Sequence, residues 1–189
     1  MWPPSEWDEG RQAGYMDKKI LYRTVEELRQ QCRFAQGAFQ SLRLRLNELD
    51  QERVFLYVHA FLGHAAMISR LLWPARATSA ERGELLRKEL NVPADSALRM
   101  SGGREQIERF DEAYEDWLST LPEADYVDQN LMPTGTMAGS KADVFQRSLD
   151  PDMMVFQLRG QPIPLRKVSD AIRVLDGAAQ QWLRTHQPW

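Results

Sequence analysis

A single cysteine, Cys32, in a chain of 189 residues excludes an internal disulfide and any Cys-rich zinc site. Histidine is almost as scarce. The three present, His59, His64 and His186, cannot supply the Glu-x-x-His pairs of a helical di-iron centre, because positions 56, 61 and 183 hold neither Asp nor Glu. The HExxH motif, the phosphate-cradling GxxxxGK[ST] loop, a GxGxxG turn and the GxSxG nucleophile elbow are all missing. No cofactor and no protein-held metal is therefore expected. Charge of one sign is not in excess either: 24 Lys and Arg face 27 Asp and Glu, a formal charge of −3, so nothing global advertises nucleic acid. No N-terminal apolar stretch resembles a signal peptide. The longest apolar run, residues 54–68, is interrupted by His59, Gly63 and His64 and is too short to cross a bilayer. It reads as a buried helix, and the expected location is cytoplasmic, with no membrane partner.

What the chain does hold is core material. Hydrophobic residues make up 43%, and six Trp, seven Phe and five Tyr can fill the interior of one domain, which rules out global disorder. Residues 1–16, with Pro3, Pro4, Gly10 and Gly14, read as a flexible tail; residues 17–184 read as the single domain and 185–189 as a C-terminal tail. Thr24 with Glu27 forms a capping box that predicts a helix start. Beyond it Leu28, Cys32, Ala35, Phe39, Leu42, Leu46 and Leu49 repeat at alternating steps of four and three, the seam of a long amphipathic helix. On this seam Cys32 reads as a small core residue rather than a catalytic thiol. Asp50 is a candidate cap for a second helix, whose seam is Val54, Val58, Phe61, Ala65, Ile68 and Leu72 and which Trp73-Pro74 ends.

A shorter helix is expected from Thr78 or Ser79 to about Leu90, with one further turn within residues 95–100. After the hinge Ser101-Gly102-Gly103, a continuous helix from Arg104 to about Leu121 would turn Ile107, Phe110, Tyr114, Trp117 and Leu121 inward. Residues 125–141, with Pro133, Gly135 and Gly139, read as an irregular loop, of which 133–140 is a candidate lid. Two short apolar runs around Arg159-Gly160 predict a β-hairpin, and a last helix spans about Ser169–Arg184. The expected fold is mainly α: an antiparallel bundle of four to five helices with a small β-hairpin before the last one.

The segment Arg104-Glu105-Gln106-Ile107-Glu108-Arg109-Phe110-Asp111-Glu112 opens a helix after the glycine hinge. It resembles a stretch Arg-Asn-His-x-Glu-His-Phe-Asp-Glu of uncharacterised bacterial proteins that look like members of the HEPN superfamily. The resemblance takes in residues 64–74, 145–150, the hairpin around Phe156 and Gly160, and the last helix, so it covers roughly Tyr22 to Leu183. It implies a helical bundle, a homodimer, and a place in toxin–antitoxin or other stress and defence systems. Many HEPN proteins are metal-independent RNases with an Arg followed after four to six residues by a His. The chemistry accounts for the pair: a 2′-hydroxyl attacking phosphorus needs a proton carrier near neutral pH and a guanidinium to hold the phosphate.

This chain departs from that pattern. Arg104 matches the Arg, but Arg109 stands where the His belongs, and an arginine cannot act as a general base. The expectation is a non-catalytic binding or regulatory module, probing RNA or a partner protein, with Arg104 and Arg109 as candidate phosphate- or RNA-binding residues near a helix N-terminus. The bland alternative for both is helix ion pairing, Arg104 with Glu108 and Glu105 with Arg109, each four apart. The rival enzyme reading is an RNase that uses Arg104 with His64 or His59; a third reading is a purely structural interaction module. His64 alternatively is a hydrogen-bonded core residue. Arg53 and His59 meet the Arg-x5-His spacing formally. Arg23, Arg29, Arg33, Arg43 and Arg45 stud the first helix, either as a groove for RNA or as a solvated face.

Overall fold

A computed structural model of the chain describes residues 6–48, 50–122, 126–133 and 144–187, of which 6–17 by backbone alone. The long helices follow the predicted seams. Helix α1 runs Glu6–Glu48 and α2 runs Gln51–Leu72. Leu28, Cys32, Ala35 and Leu42 of α1 and all six seam residues of α2 are buried, while Phe39 and Leu46 pack partly buried against them; Leu49 lies outside the described residues. Asp50 caps α2 as expected, its side chain accepting from Arg53 N. Helix α1 packs on α2 and also on α6, Leu165–Thr185, which buries Val168, Ile172, Leu175, Ala179 and Trp182.

The N-terminal boundary of α1 differs from expectation. The helix is already formed at Glu6, inside the stretch read from sequence as a tail. Gly10 and Gly14 each cost about 1 kcal/mol relative to Ala, which does not stop the helix. Thr24 therefore sits mid-helix, and its hydroxyl donates to Ile20 O at 2.7 Å rather than capping an end.

Helix α2 is apolar around most of its circumference. By length and composition it is the one helix among the described residues that could cross a membrane, but half of the tested window is buried inside the protein. Its partners explain the burial: α1 on one side, and on another the sheet, where Phe55 meets Phe156 at 6.5 Å between ring centroids. After α2 come a 3-10 turn at Ala77–Ser79, helix α3 (Ala80–Glu89) and a second 3-10 turn at Ala97–Arg99.

The stretch expected as one helix from Arg104 to Leu121 is two: α4, Gly103–Glu108, and α5, Phe110–Thr120, broken at Arg109 (φ −114°, ψ 51°). The break is stabilised from outside. Arg159 donates from Nη2 to Gln106 O at 2.8 Å, the carbonyl that in an unbroken helix would serve Phe110 N–H. The offset alters which residues turn inward: Trp117 is buried and Ile107 partly so, whereas Phe110 is 44% exposed.

Four strands form one mixed sheet, in order β1 (Val127–Leu131), β2 (Phe145–Asp150), β3 (Val155–Leu158), β4 (Gln161–Pro164). The predicted hairpin is β3–β4; β1, in the segment expected to be irregular, pairs parallel with β2. Val-Asp-Gln-Asn-Leu carries no apolar alternation, because an edge strand gains its hydrogen bonds from one neighbour and needs little side-chain burial. The candidate lid lies, apart from Pro133, outside the described residues. The architecture is thus mainly helical with a small four-stranded sheet near the C-terminus. The β3–β4 turn is two residues long, and both have positive φ, Arg159 at 51° and Gly160 at 78°. Glycine meets that demand freely; an arginine there is strained by about 1 kcal/mol or more.

Candidate functional site

Arg104, His64 and His59, singled out by sequence, fall at three separate places. The first is the C-terminal end of α2. The last carbonyls of a helix have no partner inside it and carry the negative end of its dipole. Three arginines from two other helices, Arg82 and Arg87 of α3 and Arg104 of α4, supply the missing donors: Arg82 Nη1 to Leu71 O at 3.2 Å, Arg87 Nη1 to Leu72 O, and Arg104 Nη1 to Trp73 O at 3.0 Å. Arg104 also reaches Ser69 Oγ at 3.3 Å and lies 3.6 Å from Glu108, its expected helix partner, which in turn holds Arg70 at 2.9 Å. The guanidinium proposed as a phosphate holder is occupied in holding α2, α4 and the link after Trp73 together. Arg109 is separate from it: 68% exposed and paired with Glu112, not with Glu105.

His64 lies at the second place, between α1 and α2. Its Nδ1 is 2.7 Å from Gln31 Oε1, Gln31 donates to Glu27 at 2.7 Å, and the ring packs on Phe34 at 5.2 Å. It shares no partner with Arg104. Nine residues of helix separate His64 from Trp73, roughly 13 Å of rise. Structure places His64 in the hydrogen-bonded packing role, not beside a phosphate arginine.

His59 marks the third place, under the sheet. Its ring meets Phe156 edge-on at 5.7 Å. Burial, then the charges of Arg147 and Arg159, push its pKa down to about 4, against a smaller opposing effect of Asp128. Arg53, its formal partner in spacing, points elsewhere: it is 58% exposed and 3.4 Å from Asp50.

Sequence reasoning missed the two arginines beside His59. Arg147 is on β2 opposite Leu158, and its Nη2 lies 3.2 Å from Asp128. Arg159 follows Leu158 in the turn, is 6% exposed, donates side-on from Nε and Nη2 to Gln106, and lies over the Phe110 ring at 5.1 Å. Burial and Arg147 lower its pKa, although a guanidinium stays charged. One nitrogen on each of the three residues, His59 Nε2, Arg147 Nε and Arg159 Nη1, is buried without a hydrogen-bond partner. A buried unsatisfied donor costs about 1–3 kcal/mol, and more when charged. The only hint in the sequence was an arginine at a turn position that favours Asn, Asp or Gly.

Arg159 also lines a cleft of ≈370 Å³ with Gln106, Arg109 and Trp117, whose rim carries Glu105, Glu112 and Asp116. A larger open groove of ≈890 Å³ lies between the end of α1 and the start of α6, lined by Phe39, Arg43, Met154, Arg166 and Asp170. The candidate basic face of α1 is largely neutralised by ion pairs, Arg23 with Glu26, Arg29 with Asp176 and Arg45 with Glu48. Among the described residues no group of three or more His, Cys, Asp and Glu could hold a metal ion. Compared with known proteins, the chain matches no family model, no curated protein and no solved structure.

Proposed function

We propose that this chain is a cytoplasmic, HEPN-like helical module that binds a ligand or partner without cutting RNA, and that it works in bacterial stress or defence as a pair of identical subunits. The observation that carries the reading is the state of Arg104, whose Nη1 is taken up by Trp73 O and Ser69 Oγ and whose Nε faces Glu108. A phosphate-holding arginine has to be free, and a 2′-hydroxyl needs a proton carrier next to it. Arg109 cannot carry that proton, and His64 is bound to Gln31. The acidic residues exposed on α5, Asp111, Glu112, Glu115 and Asp116, further disfavour a long polyanion.

The test is a cleavage assay: mixed RNA incubated with the purified protein in excess EDTA, with fragment ends analysed for 2′,3′-cyclic phosphate. No fragments above background are expected. Cleavage that Arg104→Ala together with His64→Ala or His59→Ala abolishes would replace this reading with the nuclease one. Pairing is tested by solution mass, where twice the chain mass of 21.9 kDa is expected. A single-chain mass at micromolar concentration removes the paired form from the proposal.

A further inference from the structure

Beneath the sheet, elements distant in sequence bring three buried, unpartnered nitrogens into one neighbourhood. Arg147 and Leu158 are paired across β2 and β3, so Arg147 stands diagonally from Phe156, two residues before Leu158 on β3. The His59 ring rests on Phe156, and Arg159 follows Leu158 directly, its own N–H bonded to Gln146 O at 3.0 Å. Arg159 binds Gln106 side-on through Nε and Nη2; this fixes the guanidinium plane and leaves Nη1 on the opposite edge. That side chain is buried at 6% exposure, and the strained backbone at φ 51° is what delivers it there. Asp128 cancels one of the two positive charges, and His59 is uncharged at neutral pH, so the cluster keeps a net charge of one.

We propose that His59 Nε2, Arg147 Nε and Arg159 Nη1 are the donors of a binding site for one small oxyanion, a phosphate or carboxylate group. Nitrogens left without partners in a closed interior are what an acceptor-rich ligand satisfies, and arginine is the side chain best suited to planar recognition of such groups. The neutral imidazole donates through Nε2–H and adds no charge. The ≈370 Å³ cleft that Arg159 lines is separate from His59 and Arg147 and carries Glu105, Glu112 and Asp116, carboxylates that repel a nucleic-acid strand from this end of the cluster. The inference rests on the binding-module reading and names its ligand class.

The probe is inorganic phosphate, with acetate and citrate as the carboxylate arm and sodium chloride at matched ionic strength as the blank. Phosphate at roughly 50 times its dissociation constant is expected to raise the thermal midpoint by about 5 °C, saturably. Arg159→Gln and Arg147→Gln are expected to weaken binding tenfold or more, and Arg173→Gln, 72% exposed on α6, to leave it unchanged. In the unaltered chain, phosphate is expected to move the His59 ring titration, followed by NMR, to higher pH. That readout decides even if the arginine variants do not fold. Saturation by a carboxylate in place of phosphate assigns the ligand within the same class. A midpoint that follows ionic strength alone, or a His59 titration indifferent to both anions, overturns the site. Single-stranded RNA that displaces phosphate and is lost with Arg159→Gln also overturns it, in favour of a nucleic-acid surface. RNA cleavage with cyclic phosphate ends would instead remove the binding-module reading, so the two failures are told apart.

Discussion

Arg104→Ala is expected to lower the free energy of unfolding by about 2–4 kcal/mol, read as a fall in the urea midpoint at constant m value. The size follows from what the guanidinium does. It is one-fifth exposed, donates to Trp73 O at 3.0 Å and Ser69 Oγ at 3.3 Å, and lies against Glu108. Hydrogen bonds to charged groups contribute about 1.5–3 kcal/mol, and alanine would leave the Trp73 carbonyl unpaired at the negative end of a helix dipole. The Glu108 contact adds less, because Glu108 keeps Arg70 as a second partner. Arg104→Lys should recover only part of the loss, since one ammonium cannot reproduce the fork. A change under about 0.5 kcal/mol would show that the guanidinium is dispensable to α2, and would return Arg104 to the list of groups free to meet a ligand.

Acidification is expected to destabilise the protein through His59. In the unfolded chain a histidine titrates near 6.5; in the folded protein burial and the charges of Arg147 and Arg159 bring His59 down to about 4. Between those values the unfolded state binds more protons, so stability rises with pH. The His59 contribution is therefore complete above about pH 6.5 and is lost progressively as pH falls toward 4. At pH 5 the loss amounts to roughly 2 kcal/mol. Unfolding free energies of the unaltered chain and of His59→Phe, which keeps an aromatic ring against Phe156, measured from pH 7 to 4.5, isolate it from the carboxylates common to both. The variant should give the flatter curve. Parallel curves would mean that His59 is as free to take a proton in the fold as in the unfolded chain.

How far residue order foretold this molecule depends on how local each signal is. The seams of α1 and α2, the Asp50 cap, the stop at Trp73-Pro74 and the apolar stripe of α6 are all read within one or two turns, and all are observed. Thr24 shows the limit of a motif: a capping box states that a helix could begin there, not that the preceding residues leave it. The split at Arg109 was out of reach, because the bond that stabilises it comes from Arg159, fifty residues on. So was β1, a polar edge strand defined by its pairing with β2.

The candidate site divides in the same way. That Arg104 heads a helix beside Glu108 could be seen in the spacing; that three arginines close the end of α2 could not, since they meet it from two other helices, Arg82 and Arg87 from α3 and Arg104 from α4. Periodicity is a property of neighbours along the chain, and so the amphipathic framework was written in the order of residues. Whether a given nitrogen ends up bonded, exposed or stranded is a property of neighbours in space. Only the folding of the β3–β4 turn onto α2 and α4 left His59, Arg147 and Arg159 each with one unpaired nitrogen under the sheet.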